Sequence, residues 1–301
     1  MIISVLIPTL HRHLALNECL ASLSKQVLTP DEIVVVNSDP DDFMTKGVLK
    51  KYLRLLPLIV VNKYLDGRAP VRNLLVEKAR GKILAFLDDD CVPDDHWLEE
   101  IKRSFYRSGT VGLLGNNKNL FIANPAAAAE ECWYLRWRLQ YLGSLNLERE
   151  ITDWRIFDLK NAAFRRDFIG GHRFSPFLEE DIVFGYELIA SLGRGQQIIY
   201  NPKVIAYHRN SSGLNQLVKR RWAFGIGRAE LKEKRPDIFN PDGKIRPARR
   251  LWFRLILSEI QHLALFDKFK FFFIWPVYPI TGKLAAGYHW LCKASNFRSP
   301  I

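Results

Sequence analysis

The sequence is poor in the residues that build metal clusters and cross-links. Its 301 residues include four cysteines, and none of them forms a C-x-x-C pair or a Cys/His group with the spacing of metal ligands. The cysteines are Cys19, Cys91, Cys132 and Cys292. A structural zinc site and a disulfide framework are therefore not indicated, and this cysteine usage fits a reducing cytosol.

Signals for export or for crossing a membrane are also missing. The first ten residues, MIISVLIPTL, lack the positively charged start and the small-residue cleavage site of a secretory signal peptide. Residues 271–282 carry no charge, but this run has only twelve residues and contains Pro276 and Pro279. Because a spanning helix needs about 20 apolar residues, we expect a cytoplasmic protein without a transmembrane helix.

The two commonest phosphate-binding loops are absent as well. No G-x-G-x-x-G motif follows a strand, which argues against a dinucleotide fingerprint, and no G-x-x-x-x-G-K-[ST] motif indicates a P-loop. A phosphorylated ligand would therefore need other groups to hold it. The remaining way to bind phosphate groups is a metal ion held by aspartates, aided by Arg68 and Arg72.

What the chain does have is an excess of positive charge. The formal net charge is +12, and residues 219–254 hold twelve Lys/Arg against four Asp/Glu, which is +8 of the total. Hydrophobic residues make up 48% of the chain, which indicates a globular protein with a sizeable core. The basic segment predicts an anionic partner, which could be a membrane surface, a phosphorylated substrate or nucleic acid.

The most informative stretch is ILAFLDDDCVPDDHW, residues 83–97. Its first five residues form the unbroken apolar run of a parallel strand that is buried on both faces. Pro93 and the two acidic residues after it are expected to open a helix that carries Trp97 on its apolar side. The stretch therefore predicts a strand, an acidic turn and a helix.

Three aspartates, Asp88, Asp89 and Asp90, follow the predicted strand directly. In an extended chain Asp88 and Asp90 would point the same way and Asp89 the opposite way. Mg²⁺ or Mn²⁺, bridging an aspartate to a diphosphate, would compensate this concentration of negative charge. A solvated acidic turn is the plain alternative, because a D-x-D motif alone is short and unspecific.

Strand-like and helix-like segments alternate along the first half of the chain. This order predicts an α/β fold with a mostly parallel sheet and right-handed crossovers. In such sheets ligands bind outside the carboxyl ends of the strands. We therefore expect the polar clusters at residues 9–12, 37–42 and 88–90 to line one crevice. Strands are predicted at residues 2–7, 33–36, 58–61 and 83–87, and helices at 11–26 and 69–80.

Several motifs occur here in the order that is typical of family 2 glycosyltransferases, which the chain resembles. They are strand-Pro-Thr at residues 5–9, EIVVV and an Asn/Asp cluster at 32–42, R-x-x-x-RN at 68–73, A-x-G at 79–81, and FLDDD-x-x-P-x-x-W-L at 86–98. The resemblance covers the whole first half of the chain. It implies a GT-A fold, with a mostly parallel sheet flanked by helices.

The resemblance also implies a nucleotide-diphosphate sugar donor and a divalent metal, Mg²⁺ or Mn²⁺, held by Asp90 with Asp88 assisting. Asn37 stands where the family often has an aspartate that contacts the base or ribose, so Asp39 is the alternative residue for that contact. The positions that match donor-binding positions of the family are Pro8, Thr9, Arg12, Asn37, Asp39, Arg68, Arg72, Asp88 and Asp89.

A second acidic motif lies in FLEEDIVFGYELIASLG, residues 177–193. Acidic residues at a helix start are common as caps and dipole partners, which is the plain interpretation. The segment also matches the Glu-Asp motif of the family, in which the aspartate is the catalytic base. The resemblance therefore places the base at Asp181, with Glu180 as the nearby alternative.

Two further segments complete the resemblance. Residues 159–166, LKNAAFRR, resemble the family's strand before the catalytic loop and are expected to frame the donor sugar. A predicted strand at residues 198–208 ends at His208. A lone histidine is usually a packed or surface residue, but in related enzymes a histidine at this place joins the metal or diphosphate site.

The expected domains are a glycosyltransferase domain over residues 1–212 and a basic, amphipathic helical region over residues 213–301. Within the first, residues 1–110 form the nucleotide-sugar half and 111–212 the acceptor half. Aromatic residues beside clustered Lys/Arg in the second suit a helix that lies on an anionic membrane. A helical subdomain packed on the catalytic domain is an equal alternative, because periodicity does not separate the two.

The function that the resemblance implies is inverting transfer of a sugar to a hydroxyl of a glycan or lipid-linked acceptor, and we expect it at the inner face of the cell membrane. One alternative is an aspartate-based phosphatase, because Asp88, Asp90 and Val92 also satisfy D-x-D-x-[TV]. Another is a non-enzymatic basic module that binds membrane or nucleic acid through residues 219–254. That segment has no recognised nucleic-acid motif, so no nucleic-acid partner is expected.

Overall fold

The computed structural model describes residues 1–239 and 256–294, and its contacts divide the chain into two compact units. The sheet unit comprises Met1–Lys118, Ser144–Pro176 and Glu180–His208. The helical unit comprises Asn119–Gly143, Phe177–Glu179 and the described part of Arg209–Ile301. The sequence places a boundary at residue 212, close to the change of unit at Arg209. It gives no signal that residues 119–143 and 177–179 belong with the C-terminal part.

Nine strands of the described chain form one mixed sheet in the order β3-β2-β1-β4-β8-β6-β9-β5, with β7 paired to β9. The first four strands in this order are parallel, and β8 then runs antiparallel to β4. The predicted α/β fold with helices around a largely parallel central sheet is confirmed. The strands are β1 (Ile3–Thr9), β2 (Glu32–Asn37), β3 (Leu58–Asn62), β4 (Ile83–Leu87), β5 (Cys91–Pro93), β6 (Thr110–Asn119), β7 (Arg149–Glu150), β8 (Asn161–Arg165) and β9 (Gln197–His208).

Helices cover both faces of the parallel strands. Alternate side chains of β1, such as Val5, share a core with α1, α2 and α4, while Leu6 on the opposite face is equally buried and α3 contacts β1 and β2. The helices of the sheet unit are α1 (His13–Leu23), α2 (Phe43–Tyr52), α3 (Arg68–Lys78), α4 (Trp97–Ser104), α6 (Arg166–Ile169) and α7 (Glu180–Ala190). One turn of 3₁₀-helix, Trp154–Ile156, lies between β7 and β8.

The segment after β4 differs from the sequence prediction. Cys91–Pro93 forms the short strand β5, and the helix begins at Trp97 instead of at Pro93. The reason is long-range pairing, because Cys91 lies opposite His208 in an antiparallel ladder with β9. The chain after the three aspartates is thereby fixed to a strand that comes more than one hundred residues later.

A buried hydrogen-bond network holds α4 on the sheet. The indole of Trp97 is fully buried, and its Nε1–H donates to Oδ1 of Asn161 at 2.8 Å. The amide of Asn161 in turn donates to the carbonyl of Val204 at 2.9 Å. Because a buried polar group without a partner is costly, this pair of bonds fixes α4 and β9 to β8.

The helical unit is built from long helices. Its helices are α5 (Pro125–Leu142), α8 (Leu214–Lys234), α9 (Leu265–Ile274) and α10 (Val277–Ala294), with a 3₁₀ turn at Pro236–Phe239. Helix α5 ends at Leu142, and Gly143 directly after it has the left-handed φ of 68° that often ends a helix. Helices α8 and α10 approach closely, since a Cβ on Gly225 would lie 2.5 Å from the carbonyl oxygen of Gly282.

The basic C-terminal region is described in part. Residues 219–239 of the basic segment lie mostly in α8, whereas residues 240–254 are outside the described residues. None of the helices in residues 1–239 and 256–294 is both long and apolar enough to cross a membrane.

Gly81 lets β4 start beside β1. Its N–H donates to the buried Ser4 hydroxyl at 2.8 Å, and that hydroxyl donates to Oε1 of Glu32 at 2.6 Å. A Cβ at residue 81 would lie 2.6 Å from the Ser4 backbone nitrogen, which leaves no room for a side chain.

We therefore predict that Gly81→Ala lowers the free energy of unfolding by about 1–3 kcal/mol, because backbone atoms must shift to relieve the clash. Gly47→Ala is the matched control. Gly47 lies within α2, and a Cβ there would meet nothing within 4 Å. This control should raise stability by about 0.5–1 kcal/mol, because alanine favours a helix interior. Urea unfolding of both variants tests the prediction, and equal midpoints would contradict it.

Candidate active site

The triple-aspartate turn lies at the carboxyl end of β4, next to the end of β1. The Thr9 hydroxyl donates to Oδ2 of Asp89 at 2.7 Å. Nη1 of Arg12 donates to Asp89 at 3.0 Å and to Asp90 at 2.8 Å. Burial raises the pKa of Asp89 to about 7, although Arg12 and the Thr9 hydroxyl favour its ionised form. The predicted crevice residues of β1 and β4 are therefore brought together.

The orientation expected for the three aspartates is wrong in one respect. Asp89 and Asp90 share the same arginine nitrogen, so they do not point in opposite directions. The alternation requires an extended chain, but β4 ends at Leu87 and the backbone then turns. In this turn the N–H of Cys91 donates to the carbonyl of Asp88 at 3.1 Å.

A buried arginine joins the two acidic motifs. Arg72, on α3, is 3% exposed, and its Nη2 lies 3.3 Å from Oδ1 of Asp88. Its Nη1 forms an ion pair with Oε1 of Glu180, at the start of α7. Nε of Arg68 lies 3.4 Å from the same Glu180 oxygen. Both arginines predicted to bind the donor are thus placed beside the D-x-D and Glu-Asp motifs.

Asp181 follows Glu180 on α7 and is partly buried. Burial and the negative charge of Glu180 raise the pKa of Asp181 to about 6. The positive charges of Arg68 and Arg72 oppose this increase. A carboxylate with such a pKa is able to accept a proton near neutral pH.

His208, the last residue of β9, lies beside the acidic turn. Its Nε2 is 3.6 Å from Oδ1 of Asp90, because β9 pairs with β5 directly after the turn. Asp88 points instead toward Arg72. Across residues 1–239 and 256–294, no three His, Cys, Asp or Glu side chains are arranged to hold a metal ion. The structure therefore brings together Asp90 and His208 of the predicted metal ligands, but not all three.

The loop after β2 is held by Asn37. Its fully buried amide donates to the carbonyl of Asp39 at 2.8 Å and to Oδ1 of Asn62 at 3.0 Å. The Asp39 carboxylate is partly exposed and lies 3.2 Å from Nε2 of His11. Pro8 lies in β1 at the position before Thr9, half-buried. Asn37 thus supports the loop. Of the two residues predicted to contact the nucleobase or ribose, Asp39 is the more accessible.

Two charged residues of the site escaped the sequence analysis. Asp158 and Lys160 form an ion pair just before β8. Burial opposes ionisation of Asp158, but Lys160 outweighs this effect and lowers its pKa. The carbonyl of Lys160 accepts a hydrogen bond from the N–H of Asp88 at 3.4 Å, and the charge of Asp158 helps to raise the pKa of Asp181. The only local signal is that Lys160 lies within LKNAAFRR and Asp158 directly before it. Antiparallel pairing of β8 with β4 brings both residues to the site.

The sequence matches a known protein family and several named proteins. Residues 4–170 match the family model described as glycosyl transferase family 2. Glycosyltransferase AglE from Haloferax volcanii is 24% identical over 235 residues, which cover 76% of this chain and 73% of AglE. Chondroitin synthase from Pasteurella multocida is 25% identical over 269 residues, which cover 79% of this chain but only 28% of the synthase. The chain therefore spans less than a third of that synthase.

Solved structures show the same fold. Mannosyltransferase PcManGT from Pyrobaculum calidifontis, solved with GDP-Man and Mn²⁺, superposes with a TM-score of 0.57 at 18% identity. The match covers 97% of this chain and 79% of that one. TarS 1-349 of S. aureus, solved with UDP-GlcNAc, gives a TM-score of 0.53 at 15% identity and covers 99% and 93% of the two chains. Because the family model also matches more than half of its length, the chain belongs to glycosyl transferase family 2 and is a glycosyltransferase.

Proposed function

We propose that the protein transfers a sugar from a nucleotide-diphosphate sugar to a hydroxyl group, with inversion at the anomeric carbon and with Asp181 as the general base. The observation that carries this proposal is the buried Arg72, which contacts both Asp88 and Glu180. Through this arginine the donor motif lies beside the segment that carries the base.

The donor would lie at the carboxyl ends of β1, β2 and β4. Asp39 would contact the nucleobase or ribose, and Arg68, which is about half exposed, would contact the diphosphate. Two proteins with the same fold have been solved with nucleotide sugars, PcManGT with GDP-Man and TarS 1-349 with UDP-GlcNAc. These complexes support a donor of this class.

The donor atoms of Asp90 and His208 suit a divalent metal, because a carboxylate oxygen in the acidic turn lies 3.6 Å from an imidazole nitrogen at the end of β9. Asp88 adds a partly exposed carboxylate nearby. The diphosphate would supply the remaining oxygen ligands, as is usual where Mg²⁺ binds few protein groups. A bound Mg²⁺ or Mn²⁺ would neutralise charge on the leaving nucleotide.

Asp181 is the better of the two candidate bases. Glu180 has no exposed side-chain surface and is paired with two arginines, so its carboxylate is occupied in holding the site. Asp181 would take the proton from the acceptor hydroxyl while the hydroxyl oxygen attacks the anomeric carbon from the face opposite the leaving group. A single displacement of this kind inverts the anomeric configuration.

The acceptor is proposed to be a glycan or a lipid-linked saccharide at the inner face of the cell membrane, with peripheral contact to anionic lipid. AglE and chondroitin synthase, by their names, are a glycosyltransferase and a synthase of a polysaccharide. The net charge of +12 fits attraction to an anionic surface.

Asp181→Asn should lower kcat by a factor of about 10²–10⁴, because a general base contributes that much to proton transfer. The binding of nucleotide, measured by thermal shift, should stay unchanged. Asp167→Asn, which changes an exposed aspartate at the start of α6, is the matched control and should keep full activity. Loss of nucleotide binding in Asp181→Asn would contradict the assignment.

The pH dependence of transfer offers a second test. Since Asp181 acts only when ionised, kcat/KM should rise about tenfold per pH unit below pH 6 and level off above it. Arg68 lowers the pKa of Asp181, so Arg68→Gln should move this rising limb of the pH profile to higher pH. Arg68→Lys keeps the positive charge and should leave the limb in place. An identical limb in all three proteins would argue against Asp181.

Metal-assisted donor binding is tested by thermal stability with UDP, dTDP, GDP and CDP, each with and without Mn²⁺ or Mg²⁺. A nucleotide at about 100 times its Kd should stabilise the protein by about 2.7 kcal/mol. Asp90→Asn should lose the metal-dependent part of this shift, because it removes a carboxylate ligand. Asp95→Asn, an exposed neighbour, should retain it. Equal shifts with and without metal would contradict the role of Asp90.

A further inference from the structure

Helix α9 carries an unusual number of exposed apolar side chains. A single exposed apolar residue is ordinary in a soluble protein, whereas a contiguous group marks an interaction surface. Only Phe271 of its phenylalanines is buried, in a core with Ala128, Cys132 and Leu263. The exposed fractions are 74% for Leu265, 70% for Phe266, 61% for Phe269, 55% for Phe272 and 79% for Phe273. These five side chains are called the docking face.

The docking face forms one continuous stripe. At 3.6 residues per turn its five members fall within an arc of about 120° on the helix, opposite the buried Phe271. Further exposed apolar residues follow on α10, where Ile280 is 53% and Leu284 61% exposed. Exposed apolar side chains therefore occur both on α9 and on α10.

Positive charge borders this stripe on both sides. On the same helical projection Lys268 lies about 40° beyond one edge of the arc and Lys270 about 40° beyond the other. Lys270 is 2.9 Å from Asp267, the only acidic residue in residues 265–290, and its Nζ is 4.5 Å from the ring centre of Phe266. Lys283 adds an exposed positive charge on α10.

We propose that the docking face lies in the headgroup and acyl boundary of an anionic lipid leaflet, with the axis of α9 parallel to the membrane. Phenylalanines on one face bury in the apolar layer, and lysines at its two edges extend their ammonium groups to lipid phosphates. The contact proposed is peripheral, made by the surface of α9 alone.

Lipid is favoured over a second copy of the chain by charge. A two-fold contact through the docking face would bring the lysines of two chains together, and each chain carries +12. An anionic leaflet is complementary both to the phenylalanines and to the lysines. This inference rests on the membrane contact proposed above and assigns the surface that makes it.

The test is sedimentation of the whole protein with phosphatidylcholine vesicles that contain or lack phosphatidylglycerol. We expect binding to the anionic vesicles that weakens as salt is raised. The double variant Phe269→Ser, Phe273→Ser should bind about tenfold more weakly or worse, because each buried aromatic side chain contributes strongly to partition. Lys268→Gln should weaken binding to anionic vesicles about fivefold.

Phe43→Ser is the matched control, because Phe43 is 81% exposed on α2 of the sheet unit. It should bind vesicles as the unchanged protein does. All variants should keep the metal-dependent nucleotide shift, which separates failure of the docking face from failure of the donor site. Equal vesicle binding by the double variant would overturn the inference. So would the absence of vesicle binding together with a dimer in solution that the double variant dissociates.

Discussion

The site depends on one buried cation, the guanidinium of Arg72. It lies between Asp88 of the triple-aspartate turn and Glu180 of the Glu-Asp motif, which are 92 residues apart in sequence. Removing one partner of a buried ion pair costs about 3–5 kcal/mol, because the other charges remain without compensation. Arg72 therefore fixes α3, the end of β4 and the start of α7 to one another, and the spacing of the two acidic motifs follows from it.

The candidate site is rich in carboxylates, although the chain as a whole has a net charge of +12. Two cations, Arg12 and Arg72, contact the aspartates of the turn, yet burial still raises the pKa of Asp89 to about 7. A site in which carboxylates are this crowded is suited to a further cation brought with a diphosphate. By sequence alone, the D-x-D-x-[TV] pattern in this turn also fits an aspartate-based phosphatase. The family match over residues 4–170 decides for the glycosyltransferase.

The two units follow different physical rules. In the sheet unit both faces of the parallel strands are covered by helices, so β2 and β4 are buried along their whole length. In the helical unit α8 and α10 pack closely at Gly225 and Gly282, whereas α9 buries Phe271 and leaves its other phenylalanines in contact with water. Aromatic content alone does not distinguish a packed helix from a surface helix. The exposed fractions of the individual residues show that α9 lies at the surface of the helical unit.

The sequence by itself determined the local elements and the residue types of the two acidic motifs. The apolar runs of β1, β2, β3 and β4 were predicted within two residues of their ends, because a strand buried on both faces shows in its own composition. The aspartates after β4 and the Glu-Asp pair at the start of α7 were also found from local patterns.

Only the tertiary structure decided which of these groups meet. The turn after Leu87, the pairing of β5 with β9 that brings His208 to Asp90, and the pairing of β8 with β4 that brings Lys160 to Asp88 are all long-range. Strand periodicity reports which face a residue occupies, but it carries no information on which distant strand lies beside it. For that reason the sequence determined the residue types of the site, and the order of strands in the sheet determined their contacts.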